Sequence, residues 1–188
     1  MSTEETPPNG PPNSGQRIAK WIARAGICSR REAERLIADG RVDLDGEKLS
    51  GPGVVVDDPC RISVDGERLS APEPARLFRF NKPAGLMVTE RDPEGRETIY
   101  DHLPEGMPRV VPVGRLDLAT EGLLLLTTDG ELKRRLELPA TGWLRRYRAR
   151  VYGKVDEAKL AALADGITID GIQYGGIKAT LDQPRGDQ

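Results

Sequence analysis

The sequence predicts an α+β fold, in which a small N-terminal domain precedes a larger domain built on a mixed or antiparallel sheet. Two observations support this prediction. Apolar residues recur at helical spacing between Arg17 and Gly40, whereas from Val42 onward they alternate or form the short runs typical of strands. A stretch with two prolines, at residues 71–76, then interrupts the pattern. A length of 188 residues accommodates two small domains.

The predicted boundaries follow these changes in composition. Residues 1–15 are rich in Pro, Gly, Asn and Ser and offer no apolar face, so we expect a disordered tail. Residues 16–70 form the first domain, residues 71–76 the linker and residues 77–188 the second domain. No internal repeat is evident.

The first domain is predicted to contain two helices followed by short strands. The first helix carries Ile18 and Trp21 on one face and ends at Gly26. The second begins with Ser29-Arg30-Arg31-Glu32, which has the pattern of a capping box. Asp-Gly pairs then indicate tight hairpin turns at residues 45–46 and 65–66.

The second domain is predicted to be mostly strand with two short helices. The run Leu123–Leu126 is continuous and apolar, which is typical of a strand buried on both faces. The remaining predicted elements are strands near 77–80, 110–113, 147–152 and 167–172, and helices over 132–138 and 155–166.

Composition excludes several classes of protein. No apolar run approaches the roughly 18 residues of a membrane helix, and the acidic start does not resemble a secretory signal, so we expect a cytoplasmic protein. Two cysteines and one histidine disfavour a disulfide framework or a zinc site. Neither common phosphate-binding glycine motif occurs. Any catalysis should therefore depend on carboxylates, hydroxyls and arginines.

A net charge of −2 conceals two basic clusters. Residues 17–41 carry a net charge of +4 and residues 133–154 a net charge of +7. Two arginine-rich clusters favour a polyanionic partner, although solvated helix and strand faces are the alternative. A DNA-binding helix-turn-helix over 17–39 is a third interpretation. The candidate RNA-binding residues are Arg17, Lys20, Arg24, Arg30, Arg31 and Arg35.

The segment Gly114–Gly130 contains the best candidate for chemistry. It places Asp117 in a polar loop before an apolar strand, two residues after Arg115. A carboxylate near an arginine stays ionised and can act as a nucleophile or base. The alternative is a turn aspartate that caps backbone amides.

Five segments resemble motifs of known families. Ser29–Ala33 and Gly40–Gly46 resemble the S4 domain, an RNA-binding module. The segment 114–130 resembles the active-site motif of the RsuA/RluB family of ribosomal RNA pseudouridine synthases, and Lys82–Gly85 and Arg145–Tyr147 resemble its flanking motifs. The resemblance covers about residues 17–180 and is greatest to the branch that acts on large-subunit (23S) rRNA.

The resemblance implies that the protein isomerises a uridine of rRNA to pseudouridine, with Asp117 as the catalytic residue and no cofactor or metal. Arg115, Tyr147 and Lys82 would bind the substrate, with Tyr147 stacked on the uracil. Each has a structural alternative, namely a salt bridge for Arg115, a core tyrosine for Tyr147 and a surface turn lysine for Lys82. The implied partner is rRNA or a ribosome-assembly intermediate, bound by a monomer.

Members of this family continue into a later motif of the type EGRNREVRR, which this sequence lacks. The resemblance implies that this motif completes the catalytic sheet and supplies a basic partner for the aspartate. We therefore expect an incomplete catalytic domain with an exposed apolar sheet edge. The absence favours, as an alternative function, a non-catalytic RNA-binding or ribosome-assembly protein.

Overall fold

A computed structural model describes residues 15–182, which form two compact units, residues 15–143 and 144–182. The predicted tail therefore lies almost entirely outside the described residues. The first unit contains two hydrophobic cores, one among residues 18–69 and the other among residues 86–126. The linker predicted at 71–76 lies in the sequence between these cores. We call residues 16–69 the N-terminal module and residues 76–143 the central module.

The N-terminal module consists of two helices packed on short antiparallel strands. Its core contains Ile18, Ile22, Ile37, Val42 and Ile62, all of which are buried. The sheet order is β3-β2-β5-β6, and β1 pairs separately with β4. The elements are β1 (Gln16–Arg17), α1 (Ile18–Arg24), α2 (Arg30–Ala38), β2 (Val42–Leu44), β3 (Glu47–Lys48), β4 (Val55–Val56), β5 (Ile62–Val64) and β6 (Glu67–Arg68).

The predicted helix ends in this module are largely confirmed. α1 ends at Arg24, and Gly26 adopts a φ of +82°, which disfavours side chains with a Cβ. Ser29 Oγ accepts a hydrogen bond from the Glu32 backbone N–H at 3.2 Å. The other half of the predicted capping box is not formed, because the Glu32 carboxylate accepts from Arg35 Nη1 at 3.1 Å.

The two hairpins of this sheet have related sequences, RVDLDGEKL at 41–49 and RISVDGERL at 61–69, so the expectation of no internal repeat is wrong. Both turns have positive φ at Asp and Gly, as type I′ turns require. Arg41 Nη2 donates to Asp65 at 2.6 Å, and Arg61 donates to Asp45. Each hairpin thus supplies the arginine that binds the turn aspartate of the other.

The central module contains a three-stranded antiparallel sheet in the order β7-β9-β8, followed by a helix. β9 is buried on one face only, since Leu124 and Leu126 enter the core whereas Leu123 is 65% exposed. The prediction of burial on both faces is therefore wrong, because Leu123 on the second face remains largely exposed. The elements are β7 (Leu77–Lys82), β8 (Val111–Val113), β9 (Gly122–Thr127) and α3 (Gly130–Glu137).

The second unit contains α4 (Glu157–Ala162) and a hairpin of β10 (Ile167–Ile169) and β11 (Ile172–Tyr174), in agreement with the predicted helix and strand. Asp156 caps α4 by accepting from two backbone amides. The strand predicted over 147–152 is wrong. Its alternating side chains are exposed on both sides, and no neighbouring strand within residues 15–182 pairs with its backbone.

Candidate functional site

Asp117 lies in an exposed loop, residues 114–120, that connects β8 to β9 and that we call the Asp117 loop. The Thr120 backbone N–H donates to the Asp117 carbonyl at 3.0 Å, which closes a turn. Leu118 O accepts from the Gly85 N–H at 2.7 Å. The backbone of the loop is therefore fixed while the Asp117 side chain remains accessible.

A buried lysine lies beneath the Asp117 loop. Lys82, the last residue of β7, has no exposed surface. Its Nζ lies 2.7 Å from Thr120 O, 3.1 Å from Asp117 O and 3.0 Å from Pro83 O, with Leu118 O at 3.4 Å. An ammonium has three N–H donors and four carbonyls lie near it, so two of the carbonyls share one donor or the bonds alternate among them.

This geometry corrects one of the two interpretations of Lys82 given by the sequence. The side chain is not a surface turn lysine, because it is completely buried. Its Nζ is directed at backbone carbonyls, and a role in substrate binding stays a prediction. Lys82 holds the Asp117 loop.

A second lysine contacts β8 just ahead of the loop. Lys133 Nζ of α3 donates to Pro112 O at 2.6 Å and to Glu137 Oε1 at 2.7 Å. Glu137 Oε1 accepts in turn from the Gly114 N–H at 2.7 Å. Lys133 belongs to a cluster interpreted as polyanion-binding, whereas its amino group contacts protein atoms here.

Arg115 and Tyr147 were predicted to bind the substrate. Arg115 is exposed beside Asp117 in the sequence, and its charge helps to lower the pKa of Glu137. Tyr147 belongs to the second unit, where its side chain is 89% exposed, so it is not the core tyrosine of the alternative interpretation. Their roles in substrate binding stay predictions.

The candidate RNA-binding residues fall into two groups. Arg30, Arg31 and Arg35 on α2 are exposed, as is Arg17 ahead of α1. On α1, however, Lys20 pairs with Glu131, and Arg24 lies 3.6 Å from Asp129. These two acidic residues are at the start of α3, and Asp129 also caps this helix by accepting from the Glu131 and Leu132 N–H groups.

Sequence reasoning missed Lys133, Glu137, Asp129 and Glu131 as residues that organise the site. The only available signal was the spacing of Lys133 and Glu137, which allows an ion pair on one helix. Within residues 15–182 no cluster of His, Cys, Asp and Glu could hold a metal ion. In the same range, no helix has the length and apolarity needed to cross a membrane.

Comparison with known proteins identifies the family. The family model of RNA pseudouridylate synthase matches residues 76–181, which span the Asp117 loop. This chain belongs to the RNA pseudouridylate synthase family. A model of the S4 domain matches residues 16–59, so this family member has an RNA-binding module of that type at its N-terminus.

Two curated proteins and one solved structure are similar to this chain. An RNA pseudouridine synthase of Rickettsia felis is 46% identical over 159 residues, which cover 85% of this chain and 69% of that protein. A ribosomal large subunit pseudouridine synthase B of Haemophilus influenzae is 42% identical over 169 residues. This match covers 86% of the chain but only 47% of the relative. A crystal structure of a pseudouridylate synthase aligns with 27% identity and a TM-score of 0.47, over 85% of this chain and 70% of that one.

Proposed function

We propose that this protein converts a uridine of large-subunit ribosomal RNA to pseudouridine, with Asp117 as the catalytic residue. The observation that carries the proposal is an exposed carboxylate on a loop whose backbone is held by a buried lysine. A carboxylate fixed in this way can act as a nucleophile or a general base. Membership of the family and the relatives named large subunit synthases support the substrate.

The proposed reaction requires only rearrangement within one nucleotide. The N1–C1′ glycosidic bond breaks, the uracil rotates and a C5–C1′ bond forms, while C5 loses a proton and N1 gains one. Asp117 could attack the ribose, add to the uracil ring or remove a sugar proton. Each route requires the base to leave its helical stack, at a cost of a few kcal/mol.

RNA binding is proposed to begin at α2. Its exposed arginines, Arg30, Arg31 and Arg35, suit contacts to phosphates, which dominate the affinity for structured RNA. Arg115 would contact a phosphate near the target nucleotide and Tyr147 would stack on the uracil. We further propose that the protein acts as a monomer in the cytoplasm.

Substitution of the aspartate tests the proposal. An unmodified 23S rRNA transcript labelled with tritium at uracil C5 releases tritium when a uridine is isomerised. We expect Asp117→Asn to abolish release while RNA affinity changes less than about threefold, because the substitution removes the ionised carboxylate and keeps the shape of the side chain. Glu121→Gln, which neutralises an exposed carboxylate just after the loop, is the matched control.

Two results would contradict the proposal. Undiminished tritium release by the Asp117→Asn variant would exclude the aspartate as the catalytic residue. Salt-dependent rRNA binding without release, even with the unsubstituted protein in excess, would favour the non-catalytic RNA-binding alternative.

A further inference from the structure

Two hydrogen bonds join α3 to the end of β8 and the start of the Asp117 loop. Glu137 Oε1 accepts from the Gly114 N–H at 2.7 Å, and Lys133 Nζ donates to Pro112 O at 2.6 Å. The two side chains also bond to each other at 2.7 Å, across one turn of the helix. One ion pair therefore holds both an N–H and a carbonyl of the strand end that leads to Asp117.

The surroundings favour an ionised Glu137. Partial burial would raise the pKa of this carboxyl, but the hydrogen bond from Lys133, the hydrogen bond from the Gly114 N–H and the nearby charge of Arg115 outweigh it and lower the pKa below its usual 4.5. Both side chains of the pair are about one-third exposed. A charge-assisted bond from a backbone N–H to a carboxylate is stronger than a neutral one.

Gly114 is the residue at which the chain leaves β8, and its φ of +73° sets the direction of the loop. Residues with a Cβ disfavour this conformation, whereas glycine adopts it readily. The hydrogen bond that fixes the Gly114 N–H therefore restricts where the next residues lie. Lys82 binds the carbonyls of Asp117 and Thr120 at the far end. The loop is thus held at its start by Glu137, which pairs with Lys133, and further along by Lys82.

We propose that Glu137, supported by Lys133, is a positioning residue that sets the location of the Asp117 carboxylate. The pair acts through Gly114 and does not touch the reacting atoms. This inference deepens the proposed function and rests on Asp117 being the catalytic residue. Errors of about 1 Å in the placement of a catalytic group can lower a rate by about 100-fold, so the contact should affect turnover.

The test compares three variants of the full chain. Glu137→Ala removes the acceptor, Lys133→Met removes the donor, and Glu137→Gln keeps an amide oxygen that can still accept from Gly114. Amide hydrogen exchange of residues 112–120 reports the loop directly, and tritium release from the labelled 23S rRNA transcript gives kcat and KM. Arg134→Gln, which removes a neighbouring charge from α3, serves as the control for exchange and thermal unfolding.

We expect Glu137→Ala to speed exchange in the loop by about tenfold and to lower kcat by about tenfold with KM within about twofold, as for loss of an interaction that matters in the transition state. Lys133→Met should have a smaller effect in the same direction. Glu137→Gln should restore both quantities to within about threefold of the unsubstituted protein. If Glu137→Ala unfolds at the assay temperature, the loop exchange and kcat of Lys133→Met and Glu137→Gln test the proposal.

Unchanged loop exchange in Glu137→Ala and Lys133→Met would overturn the proposal, as would a loss of kcat that Glu137→Gln does not restore. A change in KM without a change in kcat would assign the pair to RNA binding and also overturn it. Failure of the proposed function is distinguishable, because Asp117→Asn would then retain tritium release, or the unsubstituted protein would release none, whatever the exchange rates show.

Discussion

The cations of α2 and those around the Asp117 loop have opposite environments. Arg30 and Arg31 extend into solvent from a helix surface, whereas Lys82 is fully buried and binds backbone carbonyls. Both kinds of residue contribute to the same count of positive charge in the sequence. The difference shows that burial decides whether a cation is available to a phosphate or holds the fold together.

Among the substitutions that test this comparison, replacement of Lys82 should have the largest effect. Lys82→Met fills similar space but leaves the carbonyls of the Asp117 loop without their donor, which should cost about 3 kcal/mol of unfolding free energy. Isomerisation should fall by at least about 100-fold because the loop loses its support. Chemical denaturation and the tritium-release assay measure the two effects. A variant as stable as the unsubstituted protein would show that these carbonyls find other donors.

Reversal of charge on α2 should produce the complementary result. Arg30→Glu with Arg31→Glu should weaken binding to the 23S rRNA transcript by about 10- to 100-fold. The slope of log K against the logarithm of salt concentration should become shallower by about 2. Unfolding free energy should change little because both side chains are exposed. Filter binding across a salt series measures the affinity.

Lys48→Glu with Arg68→Glu provides the matched control for that experiment. It makes the same change in charge on the edge strands β3 and β6 and leaves α2 unsubstituted. An equal loss of affinity in both double variants would show that overall charge, and not the α2 surface, determines binding.

The cations of α1 should give an intermediate result. Lys20 pairs with Glu131, which joins the N-terminal module to α3. Lys20→Glu should therefore reduce stability by at most about 1 kcal/mol, and adding Glu131→Lys should recover most of the loss. A double-mutant cycle by thermal unfolding measures the coupling. No coupling, combined with a large loss of RNA affinity in Lys20→Glu, would return Lys20 to the RNA-binding surface.

The smallest effect is expected in an exposed loop of the central module. Arg96 donates to the Asp92 carboxylate and lowers its pKa to about 2. Because the folded-state pKa is depressed below 3.8, the contribution of this pair is complete above that pH and is lost as the pH falls toward 2. The Asp92→Asn variant should therefore be less stable than the unsubstituted protein at pH 6 and equally stable near pH 2.

The features that sequence predicted well are those encoded by near neighbours. The Ser29 cap, the Gly26 helix end and the Asp-Gly hairpins each depend on residues within a few positions. The placement of Asp117 in a loop before a strand follows from one continuous segment, and the family was recognised from the same segment. These predictions needed no knowledge of what lies across the fold.

Most failures involve partners distant in the chain. Tyr147–Tyr152 alternates like a strand, but an extended segment becomes a strand only where another backbone pairs with it. Leu123 resembles a core residue until the packing shows that its side chain is mostly exposed. Charge composition could not reveal that Lys20 meets a carboxylate on α3.

The reciprocal hairpins of the N-terminal module have a consequence for how this protein opens. Arg41 of the first hairpin binds Asp65 in the turn of the second, and Arg61 of the second binds Asp45 in the turn of the first. Each turn aspartate therefore has its arginine only when both hairpins are in place. Fraying of one hairpin removes a partner from the second. The two ion pairs therefore couple the hairpins, and we expect both hairpins to open together and not one at a time.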